Sequence, residues 1–371
     1  MIAVASVALI GIGAVQLFPT GQPTGPYQLV DRQVGEAFFD AYRFWDGPDS
    51  LGSAGHNVYV GKPKADELGL FAIDAEGDVI MKSTPTPDGP RSSIRLEGRQ
   101  RYDRGLFILD VAHLPNGCGV WPAWWMTDEA HWPDHGEIDI VEGINTQTVA
   151  KTALHTRESC SMFAHVPDWE HTGVWDRSTG LPDTYTGFPD FETSVPADDC
   201  WAMAPHRWAN QGCVMMSQEE GTIGEGFNQN GGGVYILEWD PANRYIRSWV
   251  FGTELPANLQ EALSTAALPK HQQVAPDSDT WGTPYAYFAI GETTGCSADH
   301  FQNMRMVFNL AFCGTVAGNR FTKDCPALSE EFNVEGDPIL SCNAYIESNP
   351  DALDEAYWKI RGVYVYERTM Q

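Results

Sequence analysis

Apolar and polar residues alternate in short runs along most of this chain, with Gly, Pro, Asn and Asp between the runs. Period-two stretches bounded by turn residues predict strands at 57-NVYV-60, 78-DVIMKS-83, 92-SSIRLEG-98, 105-GLFILDVAHL-114, 119-GVWPAWWM-126 and 136-GEIDIVEGIN-145. The same pattern recurs at 149-VAKTALHT-156, 234-VYILEWD-240, 244-RYIRSWVFG-252, 305-RMVFNLAFCG-314 and 358-WKIRGVYVYE-367. Helical spacing is confined to 256-PANLQEALS-264 and 350-PDALDEAYW-358. Many strands with few helices predict an all-β chain of two antiparallel sheets packed face to face, because each sheet must bury one face against something. From Glu158 to Gly233 the alternation gives way to Gly, Pro, Asp, Thr and Cys. So long an unpatterned stretch predicts functional loops, here pinned by their cysteines and walling a cleft. No internal repeat of fixed period is present.

One predicted strand carries an unusual load. In 136-GEIDIVEG-143 three acids, Glu137, Asp139 and Glu142, fall within six residues among branched apolar side chains. Alternation puts Glu137 and Asp139 on one face, with Ile138 and Ile140 on the other. Strict alternation would turn Glu142 away, so the three acids share a face only if a β-bulge at Ile140–Val141 resets the parity. Like charges held so close cannot all ionise cheaply, and one proton is retained. A glycosidase needs such a pair: a carboxylate and a neutral acid on either side of a glycosidic bond, about 5 to 5.5 Å apart for retention of configuration. On residues alone, a solvated edge strand or a cluster of oxygen ligands for Ca²⁺ are alternatives. The apolar opposite face and the Trp-rich strand before it oppose the first.

Composition narrows the substrate. The chain of 371 residues has 23 Lys and Arg against 50 Asp and Glu, a net charge of −27. Such a charge repels nucleic acid and anionic membrane surfaces and suits a neutral polymer. The 13 Trp, 13 Tyr and 17 Phe could stack on the C–H faces of sugars. The eight cysteines (Cys118, Cys160, Cys200, Cys213, Cys296, Cys313, Cys325 and Cys342) form no CxxC pair and, with no His pair spaced to complete a zinc finger, argue against a structural zinc site. Their even number predicts disulfides and an oxidising compartment. Spacing does not define the connectivity; Cys200 with Cys213 and Cys325 with Cys342 are working pairs. Residues 2–18 are almost continuously apolar and precede 19-PTGQPTGP-26. They read first as a cleaved secretory signal, although a basic start and an A-x-A site are missing, and second as an uncleaved anchor. The expected organisation is therefore an apolar leader or anchor with a short linker over 1–25 and a single domain over 26–371, secreted or membrane-anchored.

The segment 117-GCGVWPAWWMTDEAHWPDHGEIDIVEGIN-145 closely resembles the catalytic stretch of glycoside hydrolase family 16, most of all the fungal endo-1,3(4)-β-glucanases or laminarinases. The likeness continues through 153-ALHT-156, 229-QNGGG-233, 280-TWGTP-284, 309-NLAFCG-314 and 357-YWKIRGVYVYE-367, covering most of the chain from about Val30 onward. It implies a β-jelly-roll sandwich of the concanavalin A-like kind with an open concave cleft. By position it implies Glu137 as nucleophile, Glu142 as acid/base and Asp139 tuning the pair. It also implies substrate-binding roles for Trp121, Trp125, His155, Trp281, Arg91 and Asn145. Adjacent Trp124 and Trp125 must face opposite ways, and Trp121 and Trp281 are favoured for the cleft. Where the family often carries a Trp after F-C-G, 313-CGTVAGN-319 has none. The first fifty residues match poorly and the loops over 158–233 are largely the chain's own. The implied activity is retaining hydrolysis of β-1,3 or mixed β-1,3/1,4 glucans by a monomer, with no cofactor; no loop argues for a structural Ca²⁺. Transglycosylation by the same carboxylates is the nearest alternative, and a non-catalytic glucan binder a more distant one.

Overall fold

The computed structural model describes residues 24–49, 53–86, 89–177, 195–205, 207–208 and 210–370. Two eight-stranded sheets dominate it. One runs Ala286–Ala289, Tyr245–Phe251, Gly233–Asp240, Gly105–His113, Tyr357–Arg368, Val79–Lys82, Phe71–Ile73, with Tyr27–Gln33 added onto Tyr357–Arg368. The other, the cleft sheet, runs Val174–Trp175, Cys213–Met216, Lys151–His155, Glu137–Glu142, Val120–Thr127, Arg305–Phe312, Arg95–Gly98, Tyr42–Phe44. A small third sheet (Gly47–Pro48, Asn57–Tyr59, Gly89–Ser93, Thr84–Thr86) contains a parallel pair, Asn57–Tyr59 with Gly89–Ser93. Every pairing within the two large sheets is antiparallel.

The continuous apolar run 105-GLFILDVAHL-114 has a direct explanation. Phe107, Leu109 and Val111 point into the core between the sheets, where they meet Trp124, Met126, Ile138, Ile140, Leu154 and Phe308. Leu106 and Ile108 point outward, and that outer face is covered by Trp249, Trp281 and Leu259, the last on the helix Ala257–Thr265. A strand buried on both faces loses its alternation.

The predicted helix at 350–358 is a short 3₁₀ turn, Pro350–Leu353, followed by the strand from Tyr357. Three unpredicted helices, Phe321–Asp324, Pro326–Glu331 and Pro338–Ser348, close one end of the sandwich. Asp337 caps the last, its carboxylate accepting from the N–H groups of Ile339 and Leu340 at 2.8 and 3.0 Å. Disulfides tie this cap to the cleft sheet through Cys118–Cys325 and Cys313–Cys342. The expected Cys325–Cys342 pair is therefore corrected: Cys342 bonds to Cys313 beside Gly119, and Cys325 bonds to Cys118, two residues before the Val120 strand. Cys200–Cys213 forms as expected, and Cys160–Cys296 pins the loop after the Lys151–His155 strand. Of the expected loop region, residues 178–194 lie outside the described residues, as does the apolar stretch 2–18. Among the described residues no helix is long and apolar enough to cross a membrane.

Candidate active site

The strand Glu137–Glu142 carries the predicted bulge. Its partner strand pairs Trp125 with Asp139 but Trp124 with Val141, leaving Ile140 as the extra residue. Ile138, Ile140 and Val141 are all buried in the core, so Glu137, Asp139 and Glu142 emerge together on the opposite face. Gly136, at φ +73°, makes the entry turn; a Cβ there would lie 2.4 Å from the carbonyl oxygen of His300.

Register then defines the cleft surface. Across the sheet, His155, Glu137, Thr127 and Arg305 form one row; Ala153, Asp139, Trp125 and Val307 a second; Glu142, Ala123, Asn309 and Arg95 a third. Directly paired residues share a face. Asp139 Oδ2 meets His155 Nε2 at 2.9 Å, and Trp121 Nε1 donates to Glu142 Oε1 at 2.7 Å. Trp132, in the turn before the strand, lies beside Glu137 and favours its ionised form. His155 can sit flush because Gly212, at φ +65°, faces it: a Cβ there would lie 2.9 Å from His155 Nδ1.

Burial and crowding set the charge of the site. Burial, then the Asp139 carboxylate, push Glu137 up from an ordinary 4.5 to about 8, against the pull of His155. Burial and Asp139 likewise push Glu142 up to about 7, against the Trp121 hydrogen bond. Burial pulls His155 down, but its bond to Asp139 and the surrounding acids outweigh this and raise it to about 9. The two glutamates thus retain a proton into the neutral range. Their order would put it on Glu137, opposite to the implied roles; the proton belongs to the pair, and its site in the free protein does not assign them.

Trp121, Trp125 and His155 lie on the cleft face with the acids. Three other expectations are corrected. Trp281 lies on the outer face of the opposite sheet, edge-on to Trp249 and Phe251, with its indole donating to Asn258. Arg91 lies in the small sheet, donates to Ser83 at 3.1 Å and sits over the Phe312 ring. Burial lowers it to about 10. Arg95, by contrast, lies on the cleft face, opposite Asn309 and 5.2 Å over the Trp125 ring. Asn145 is buried with φ +52°, and its amide is fully used: it accepts from Gly119 N–H at 2.8 Å and donates to Ala317 O and Asp324 Oδ2. It fastens the helical cap to the sheet.

Sequence reasoning gave no role to Trp132, Arg95 or Asn309, whose amide oxygen accepts from Trp125 Nε1 at 2.7 Å. Each lay within a quoted motif; continuing the alternation of the Arg305–Phe312 strand would have placed Asn309 on the cleft face. Among the described residues two clusters bring metal-ligand atoms within 4.8 Å of one another: Glu137, Asp139 and His155, and Asp128, His131 and His135.

The profile of the XgeA-like, catalytic GH16 domain matches residues 42–366. A probable endo-1,3(4)-β-glucanase of Aspergillus fumigatus is 31% identical over 349 residues, 92% of this chain and 45% of its own length. The chain thus spans about half the length of that curated relative. An elongating family 16 β-1,3-glucosyltransferase superposes with TM-score 0.72 at 29% identity, over 92% of this chain and 99% of its own. Laminarinase 16A from Phanerochaete chrysosporium, solved with 6-O-glucosyl-laminaritriose in donor and acceptor sites, superposes with TM-score 0.70 at 30% identity, over 92% and 99%. Strand by strand and along nearly its whole described length, this chain belongs to glycoside hydrolase family 16.

Proposed function

We propose that the chain is a retaining endo-β-glucanase acting on β-1,3 and mixed β-1,3/1,4 glucans. The observation that carries this is the bulge at Ile140, which turns Glu142 onto the face of Glu137. Glu137 attacks the anomeric carbon as the bond to the leaving glycosidic oxygen breaks, and Glu142 delivers its proton to that oxygen. The glycosyl ester on Glu137 is then opened by water, which gives a proton to Glu142 as its oxygen bonds to the anomeric carbon. Esterification removes the charge on Glu137, which lowers the pKa of Glu142 and fits it to act as base in the second step. Asp139, paired to His155, holds a negative charge between the two and keeps their shared proton in place. Trp125 beneath Arg95, and Trp132 at the rim, offer apolar faces to the sugar. The four disulfides support action outside the cell.

A second reading, transfer of the glycosyl group to a sugar hydroxyl instead of water, is favoured by the likeness to the elongating β-1,3-glucosyltransferase. Products on laminarin, lichenan and cellulose test both. Shorter oligosaccharides retaining the β-configuration on the first two substrates support hydrolysis; products longer than an added acceptor support transfer. Glu137→Gln abolishes turnover by a factor of at least ~10³ while glucan binding persists; undiminished reducing-sugar release by this variant would remove the nucleophile assignment.

A further inference from the structure

The turn between the strands Val120–Thr127 and Glu137–Glu142 holds a second cluster of chemically competent side chains, apart from the three acids. Asp128 begins it, and its carboxylate is buried. The His131 N–H donates to Asp128 O and the His135 N–H to His131 O, both at 3.0 Å, so the chain coils and stacks the two imidazoles 4.5 Å apart. Both Nδ1 atoms converge on one oxygen, Asp128 Oδ2, at 2.8 and 2.7 Å.

We propose that Asp128, His131 and His135 bind one divalent transition-metal ion of the zinc class through Asp128 Oδ2 and the two Nδ1 atoms. The cysteine pattern excludes a thiolate site, but two imidazoles and a carboxylate form a borderline donor set suited to Zn²⁺ or Cu²⁺. Tetrahedral zinc with bonds of about 2.05 Å spaces its ligand atoms about 3.3 Å apart. The His–Asp separations therefore open by roughly half an ångström as the ion replaces the shared protons, a change the exposed His131 ring accommodates. The remaining coordination position faces solvent and takes water. Neighbouring groups already support this arrangement. Asn303 Nδ2 donates to Asp128 Oδ2 at 3.0 Å, and Arg101 Nη1 to the other oxygen, Oδ1, at 3.2 Å. Arg101 is also held by Glu129 and by the carbonyl of Asn303, which offsets its charge. Because the same turn carries Trp132, the ion would clamp the element that sets that residue beside Glu137.

The test uses the tag-free chain, stripped by chelator and titrated with ZnCl₂ at pH 7.5 by calorimetry, with Co²⁺ absorption as a spectroscopic readout. One ion per chain with a rise in Tm is expected. His131→Ala and His135→Ala each weaken the affinity at least tenfold and abolish the tetrahedral Co²⁺ bands, while Glu137→Gln leaves both unchanged. His131→Gln, which keeps a polar side chain at an exposed position, serves if the alanine variants do not fold. The proposal is overturned if the wild-type chain shows no saturable binding, or if loss of either histidine leaves the affinity within tenfold of wild type. It is equally overturned if binding disappears with Glu137→Gln, which would place the ion among the three acids.

Discussion

The Trp121 indole stands in for solvent at Glu142, donating to Oε1 at 2.7 Å and stabilising the anion inside a site where burial opposes it. Trp121→Phe keeps the ring and removes the donor. A hydrogen bond to a charged group is worth about 1.5–3 kcal/mol and one pKa unit about 1.4 kcal/mol, so the loss raises Glu142 by about one unit or more. The alkaline limb of kcat/KM should move upward by that amount, with kcat reduced because a weaker acid donates its proton less readily. A pH–rate profile identical to wild type would show that the bond does not tune the pair. The faces of Glu137, Asp139 and Ile138 were readable from alternation, because that rule depends on neighbours in the chain. The role of Trp132 was not, since its contact with Glu137 depends on the path of a turn.

The catalytic strand holds one residue more than its partner, and Ile140 is the extra one. Deleting Ile140 leaves Glu137, Ile138, Asp139, Val141 and Glu142, in which plain alternation keeps the three acids on the cleft face and Val141 in the core. The deletion removes a buried side chain and should cost about 2–5 kcal/mol in urea unfolding while measurable turnover remains, whereas Ile140→Val should keep most activity and lose about 1 kcal/mol. A folded deletion variant with no turnover would contradict this parity. This element was predictable from the spacing of the acids. The helices over 321–348 were not, because each is short and their apolar residues face the end of a sandwich that the local sequence does not reveal. The strand Tyr27–Gln33 was missed for a related reason: its burial pattern comes from docking at the far end of the chain, against Tyr357–Arg368.

Three groups in the cleft bind protons more tightly in the folded molecule than in the unfolded chain: Glu137 to about 8, Glu142 to about 7 and His155 to about 9. Across the window from about pH 4.5 to 9 the folded state holds more protons, so stability falls as pH rises. Urea midpoints should decline over that range, and Glu137→Gln should flatten the decline; a midpoint that rises toward pH 9 would refute the shifts. The disulfide Cys118–Cys325 closes 207 residues of chain and ties the helical cap to the cleft sheet. Replacing both cysteines with serine should cost about 2–4 kcal/mol in urea unfolding, with little change in KM, since Asn145 still fastens the cap. Local order along the chain was enough to specify most of the longer strands, the parity of the acids, the need for a bulge and the oxidising chemistry, because each depends on residues a few positions apart. Contacts between distant segments assigned the disulfide partners, withdrew Trp281, Arg91 and Asn145 from the cleft, and supplied Arg95 and Asn309 in their place. Those outcomes follow from which strands pair and which sheet face is covered, relations between residues tens to hundreds of positions apart that no local pattern encodes.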